Sequence, residues 1–170
     1  MFAGKQRRSD IGSFLREYER SGVILLDIRE FDIERSSQHD LTKDELWEEI
    51  FATLKEGDWI LIVSPPCNTF SRARFQFLRS PGPRPLRNFQ WPRGFPWLAV
   101  DKRRVVEEAN HFIDQCVVAC VICFQHRGHY LWEHPEDLGE VLGEHPGSIW
   151  QWPSIRDLAV QSSAFTFAIQ

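Results

Sequence analysis

Residues 59–74 read Trp59-Ile60-Leu61-Ile62-Val63-Ser64-Pro65-Pro66-Cys67-Asn68-Thr69-Phe70-Ser71-Arg72-Ala73-Arg74. Five apolar residues in succession, without alternation, suit a strand covered on both faces, as in a parallel sheet. The run stops at two prolines, which fix the backbone leading into the next turn and cannot donate to a ladder. That stiff turn carries one cysteine, Cys67. A thiol attacks as thiolate, which needs partial exposure and a positive neighbourhood, and Arg72 and Arg74 bring positive charge close by. Burial as a small apolar side chain is the commoner role of a lone cysteine. The polar Ser, Asn and Thr around Cys67 weigh against that role.

The surrounding sequence reads as alternating helices and strands. Ile11, Phe14, Leu15 and Tyr18 recur at helical spacing and predict a helix over 10–20, capped by Ser9 and stopped by Gly22. Val23–Ile28 is a second continuous apolar run, interrupted only by Asp27 near its end, and predicts another buried strand. Thr42 and Glu45 have capping-box spacing for a helix over 43–55 with Leu46, Ile50 and Leu54 inward. Residues 72–98 hold five prolines and two glycines and predict a long basic loop, a kind that is usually functional or mobile. Beyond it a helix is predicted over 101–126, a strand over 129–133 ending in Glu133, a short helix around 147–159 and a strand-like run over 164–169. This order predicts an α/β fold, a doubly wound, mostly parallel sheet with helices on both faces, as one domain over 1–170. Ligands of such sheets bind outside the carboxyl ends of the strands. Three predicted strands lead into Asp27, Cys67 and Glu133, which puts two acids and a thiol along one rim.

Composition narrows the function classes. The 170 residues are 42% apolar, with mixed charge and many aromatics, enough for one core and unlike a disordered chain. No apolar run is long enough to span a bilayer and no signal-peptide pattern opens the sequence, so an intracellular setting is expected, with the four cysteines as free thiols. The net charge of −4 argues against a general nucleic-acid coat, yet Arg72 to Arg104 contains nine Lys/Arg and one acid. That segment carries +8 and leaves −12 for the rest. A basic patch on an acidic body fits a polyanion docked at one place; a solvated loop is the plainer reading. Cys116, Cys120 and Cys123 share helical spacing with Phe112, Ile113 and Val117, which makes a core stripe rather than a zinc site. His126, His129 and His134 read as incidental, with His134 beside Glu133. Trp91, Trp97, Trp150 and Trp152 can stack on bases or pin the loop to the core, the latter suiting the last two.

The segment 64–74 resembles the nucleophile motif of DNA cytosine carbon-5 methyltransferases, and other segments agree in order. Phe2-Ala3-Gly4 resembles the end of that family's S-adenosylmethionine loop. Asp27 matches the acid that binds the cofactor ribose, and Asp40 the acid that touches the adenine. Leu131-Trp132-Glu133-His134-Pro135 resembles the segment whose glutamate holds the target cytosine. Residues 82–88, 95–98 and 148–153 resemble a divergent branch found in phages and mobile elements. The resemblance implies a Rossmann-like methyltransferase domain without a target-recognition domain. It implies cofactor contacts at Phe2, Ala3, Gly4, Asp27, Asp40 and Pro65, and catalysis by Cys67 and Glu133 on a cytosine flipped out of DNA. Arg72, Arg74, Arg84 and Arg87 are the expected phosphate contacts. The loop Gly4-Lys5-Gln6-Arg7-Arg8 lacks the family's second glycine. The alternative expectation is therefore an inactive relative that binds nucleic acid or cofactor without turnover.

Overall fold

The computed structural model describes residues 1–5, 7, 8, 10–76 and 82–168. In chain order it contains α1 (Ile11–Arg20), α2 (Asp44–Lys55), β1 (Ile60–Val63), α3 (Ala73–Gln76), α4 (Val100–Gln125), β2 (His129–Trp132), a 3-10 turn (Ile149–Gln151) and α5 (Pro153–Gln161). Strands β1 and β2 are parallel, in register from Ile60 opposite His129 to Val63 opposite Trp132. Parallel neighbours need a long crossover, and α4 supplies it. The result is one βαβ unit, the unit from which doubly wound sheets are built.

The core lies where α4 crosses the strands. Phe112, Cys116, Ala119, Cys120 and Cys123 form its buried face against Trp47, Ile50 and Leu54 of α2 and Leu61 and Val63 of β1. The cysteine stripe is thus packing material. Its three thiols are free and fully buried, and desolvation pushes Cys116 up to about 12 and Cys120 well above the ordinary range, so neither ionises at neutral pH. A second cluster joins Phe70, Ile113, Ile149, Trp152 and Ile155. Gly128, between α4 and β2, lets the chain turn back tightly. A Cβ there would fall 2.5 Å from Cys123 Sγ and 2.6 Å from the Trp59 carbonyl oxygen.

Several local expectations change. Val23–Ile28 forms no strand, and Val23, Ile24 and Leu25 are exposed. An apolar run becomes a strand only with a partner. Trp59 and Val63 offer their carbonyls to β2, accepting from His129 N and Glu133 N, so the alternate Ile62 carbonyl points to the opposite edge. There the Met1 amine donates to it at 2.6 Å. Residues 164–168 are likewise exposed and outside any strand; the end of that predicted run lies outside the described residues. Asp10 caps α1 by accepting from Ser13 N at 2.7 Å; the expected cap, Ser9, lies outside the described residues. The Thr42–Glu45 capping box is absent because Thr42 Oγ1 donates to Asp40 instead, at 2.7 Å. A capping box forms at Ser148 and Gln151. Within the expected loop, Ala73–Gln76 is helical. Among the described residues no helix is long and apolar enough to cross a membrane.

Candidate functional site

The register of the two strands decides what meets at their carboxyl ends. Val63 pairs with Trp132, and Glu133 N donates to the Val63 carbonyl at 2.9 Å, so Ser64 and Glu133 leave the sheet side by side. Ser64 Oγ donates to Glu133 Oε2 at 2.5 Å. Glu133 is otherwise exposed, and Cys67, three residues beyond Ser64, is exposed as well. Pro65 is buried beneath the turn. The turn bearing Cys67 and the carboxyl of Glu133 thus share one end of a parallel pair.

The turn itself is held from below. Phe70 N donates to the Cys67 carbonyl at 2.9 Å, closing residues 67–70. Arg74 Nε donates to the Asn68 carbonyl at 2.8 Å and its Nη1 to the Arg84 carbonyl at 3.1 Å. Arg87 Nη2 donates to Thr69 Oγ1 at 3.0 Å, and its Nη1 to Asn110 Oδ1 and the Pro92 carbonyl at 2.9 and 2.8 Å. The Arg87 guanidinium also lies 3.8 Å from the Phe70 ring centroid. Arg87 is 1% exposed, which corrects its expected place on a phosphate: among the described residues, every group it contacts is internal. Burial first, then the Arg93 charge, lower its pKa to about 9, so it stays cationic at neutral pH. Asn110, at 9% exposure, completes the network by donating to the Arg93 carbonyl. Arg72 donates to the Gly139 and Glu140 carbonyls. Arg72 and Arg74 therefore spend donors on backbone carbonyls.

His134, next to Glu133, is buried against the edge of Phe70, with ring centroids 5.0 Å apart. Among the described residues neither ring nitrogen has a hydrogen-bond partner. Desolvation, with the Arg87 charge behind Phe70, lowers its pKa to about 4, although the Pro135 carbonyl works in the other direction. That carbonyl is already taken by the Trp150 indole N–H at 2.8 Å. A depressed histidine pKa means that the unfolded chain binds the proton more readily. Stability contributed above pH 6.5 is then lost as pH falls toward 4, by about 3 kcal/mol. Urea denaturation at neutral and acidic pH should show this loss, and His134→Phe should remove most of it. The cavity beside His134, lined by Phe70, Arg72, Asp137 and Ser148, measures about 20 Å³, far less than a nucleobase. A base at this site would have to lie on the open rim.

The expected cofactor residues do not assemble equally. Phe2 N donates to the Phe31 carbonyl at 2.8 Å, and the Phe2 ring packs edge-on against Phe112. Gly4, at φ 63°, donates its N–H to Asp32 Oδ2 at 2.8 Å. Ala3 lies between them, partly buried, and Met1 sets this segment beside β1. Asp27 stands apart, exposed and paired with Arg29 at 2.9 Å. Asp40 caps its own turn through Thr42 N and Oγ1, bonds that, hydroxyl first, hold its carboxyl below the usual range. These residues do not fit S-adenosylmethionine as an assembled site, because among the described residues no acid free of an internal partner stands beside the Phe2–Gly4 segment. Asp32, buried and bound to both Gly4 N and Glu34 N, is the acid that the sequence reading missed. In Asp27-Ile-Arg-Glu-Phe-Asp32 three acids stand at or just past the end of the apolar run, and nothing local chooses among them.

Comparison with protein-family models, with curated proteins and with solved structures finds no match.

Proposed function

We propose that this domain acts on cytosine in DNA by the covalent chemistry of the cytosine carbon-5 methyltransferases that its sequence resembles. The observation that supports this most is the Ser64–Glu133 hydrogen bond between two adjoining strand ends, with the exposed Cys67 on the turn that follows. Cys67 thiolate adds to carbon 6 of the ring, and carbon 5 becomes nucleophilic. Glu133, in its protonated form, donates from Oε1 to ring nitrogen 3, where negative charge would otherwise build. Ser64 orients that carboxyl by donating to Oε2. With no methyl donor in place, carbon 5 takes a proton from water, and loss of a carbon-5 proton then expels the thiolate. The net result is exchange of the carbon-5 hydrogen with solvent.

Methyl transfer itself requires S-adenosylmethionine, for which the residues present make no assembled cradle, so Cys67 and Glu133 perform only the addition half here. That same observation favours a second reading, an inactive relative that binds nucleic acid without turnover. Incubation of the chain with a cytosine oligonucleotide in deuterated water separates the two. Deuterium at carbon 5 supports the first, and oligonucleotide binding without deuterium incorporation overturns it in favour of the second. A mispaired cytosine should exchange faster than a paired one, because leaving the stack costs less. Binding to any sequence should weaken steeply as salt rises, a dependence that anisotropy titrations read directly.

A further inference from the structure

The loop before α4 presents aromatic rings that the fold holds still and leaves open. Trp97 is 68% exposed. The Phe95 ring lies against it, centroids 5.0 Å apart and planes 11° from parallel, and Trp91 meets it edge-on at 6.1 Å. The backbone below is fixed. Phe95 N donates to the Leu86 carbonyl and Gly94 N to the Trp91 carbonyl. From the core, Arg87 and Asn110 hold the Pro92 and Arg93 carbonyls. Gly94 adopts φ +114°, and a Cβ there would fall 2.5 Å from Val106 Cγ1, so the loop lies flush on α4. A buried arginine thus helps to fix a ring that does not enter the core, and leaving that ring in water forgoes the gain of burying it. Beside it, Arg103 Nη2 donates to the Pro96 and Leu98 carbonyls that flank Trp97. Neither acceptor neutralises the guanidinium, and among the described residues Arg103 has no ion-pair partner.

We infer that Phe95, Trp97 and Arg103 form a stacking platform for an unpaired base of a single-stranded nucleic acid, with Arg103 beside its phosphate. Two near-parallel rings present the end of a stack, and a nucleobase adds as the next plane. Such stacking tolerates any base, because every base has a π-face, and the cation tracks the backbone. A polyanion with flat apolar faces matches both halves of the site. An acidic peptide matches only the charge, and a proline-rich peptide only the rings. The platform shares with the Cys67 chemistry only the choice of a nucleic acid as partner, and either can fail alone.

Anisotropy titrations of the full chain with oligothymidylate, which carries no cytosine, and with an abasic oligomer of equal length test the platform. Oligothymidylate should bind about tenfold tighter or more. Trp97→Ala should abolish that difference while leaving the melting temperature near that of the parent, as expected for so exposed a ring, and Trp97→Phe should keep most of it. Carbon-5 exchange at an accessible cytosine should continue in Trp97→Ala, which separates this site from Cys67. Equal binding of the two oligomers, or undiminished preference in Trp97→Ala, overturns the inference. So does binding confined to a proline-rich peptide or an anionic vesicle.

Discussion

Cys67→Ser is expected to reduce carbon-5 hydrogen exchange in cytosine to the rate of the free oligonucleotide. A hydroxyl at that position has no comparable anion at neutral pH, so addition to carbon 6 stops. The variant should fold normally, because Cys67 is exposed and the hydrogen bonds that hold its turn use the Cys67 and Asn68 carbonyls and the Thr69 hydroxyl, not the thiol. Glu133→Gln should slow exchange by about a hundredfold or more, the usual loss when a preorganised group facing developing charge is altered. Ser64→Ala removes the donor to Glu133 Oε2 and should cost less, about tenfold. Deuterium incorporation read by mass spectrometry gives all three values. Exchange that persists in Cys67→Ser would remove Cys67 as nucleophile. Loss in Cys67→Ser with no effect of Glu133→Gln would leave the thiol and remove the acid from the mechanism.

Arg87→Met is expected to be the most damaging substitution for stability outside the apolar core. Thr69 Oγ1, Asn110 Oδ1 and the Pro92 carbonyl would all lose their donor in a buried setting. Unsatisfied groups of this kind cost about 1–3 kcal/mol each, so a loss of about 3 kcal/mol or more should appear in urea denaturation. Arg87→Lys should recover only part of it. An ammonium keeps the charge over Phe70, but it cannot reproduce the planar fork that reaches acceptors on three segments at once. The same variant reports on function, since Arg87 supports the turn after Cys67 and the loop bearing Trp97. Both exchange and oligothymidylate preference should decline in Arg87→Met, even where the chain remains folded. A stability change under about 0.5 kcal/mol, the ordinary surface range, would show that the network is not needed to hold either segment.

Much of this arrangement was legible in the sequence, and the legible part has a local cause. The runs before Ser64 and Glu133, the periodic apolar faces of α2 and α4 and the cysteine stripe follow from residue type and spacing alone, because helix and strand periods map directly onto sequence. So does the position of Cys67, since two prolines after a strand leave the chain only a turn. The remainder depended on partners distant in the chain. Val23–Ile28 has the composition of a strand, but ladder hydrogen bonds come from a neighbour, and at the free edge of β1 the described neighbour is Met1. Arg87 and Arg84 look alike as two basic residues of one loop. Only packing shows that the first is enclosed by Thr69, Phe70 and Asn110, while the second remains at the surface. Asp32 rather than Asp27 meets Gly4, a choice made across 28 residues of chain. Sequence by itself determined which of the longer segments are helical, which are apolar and where the thiol sits. Tertiary structure decided which charges are buried, because burial of an arginine or an acid is favourable only where several separate segments converge to supply its hydrogen bonds.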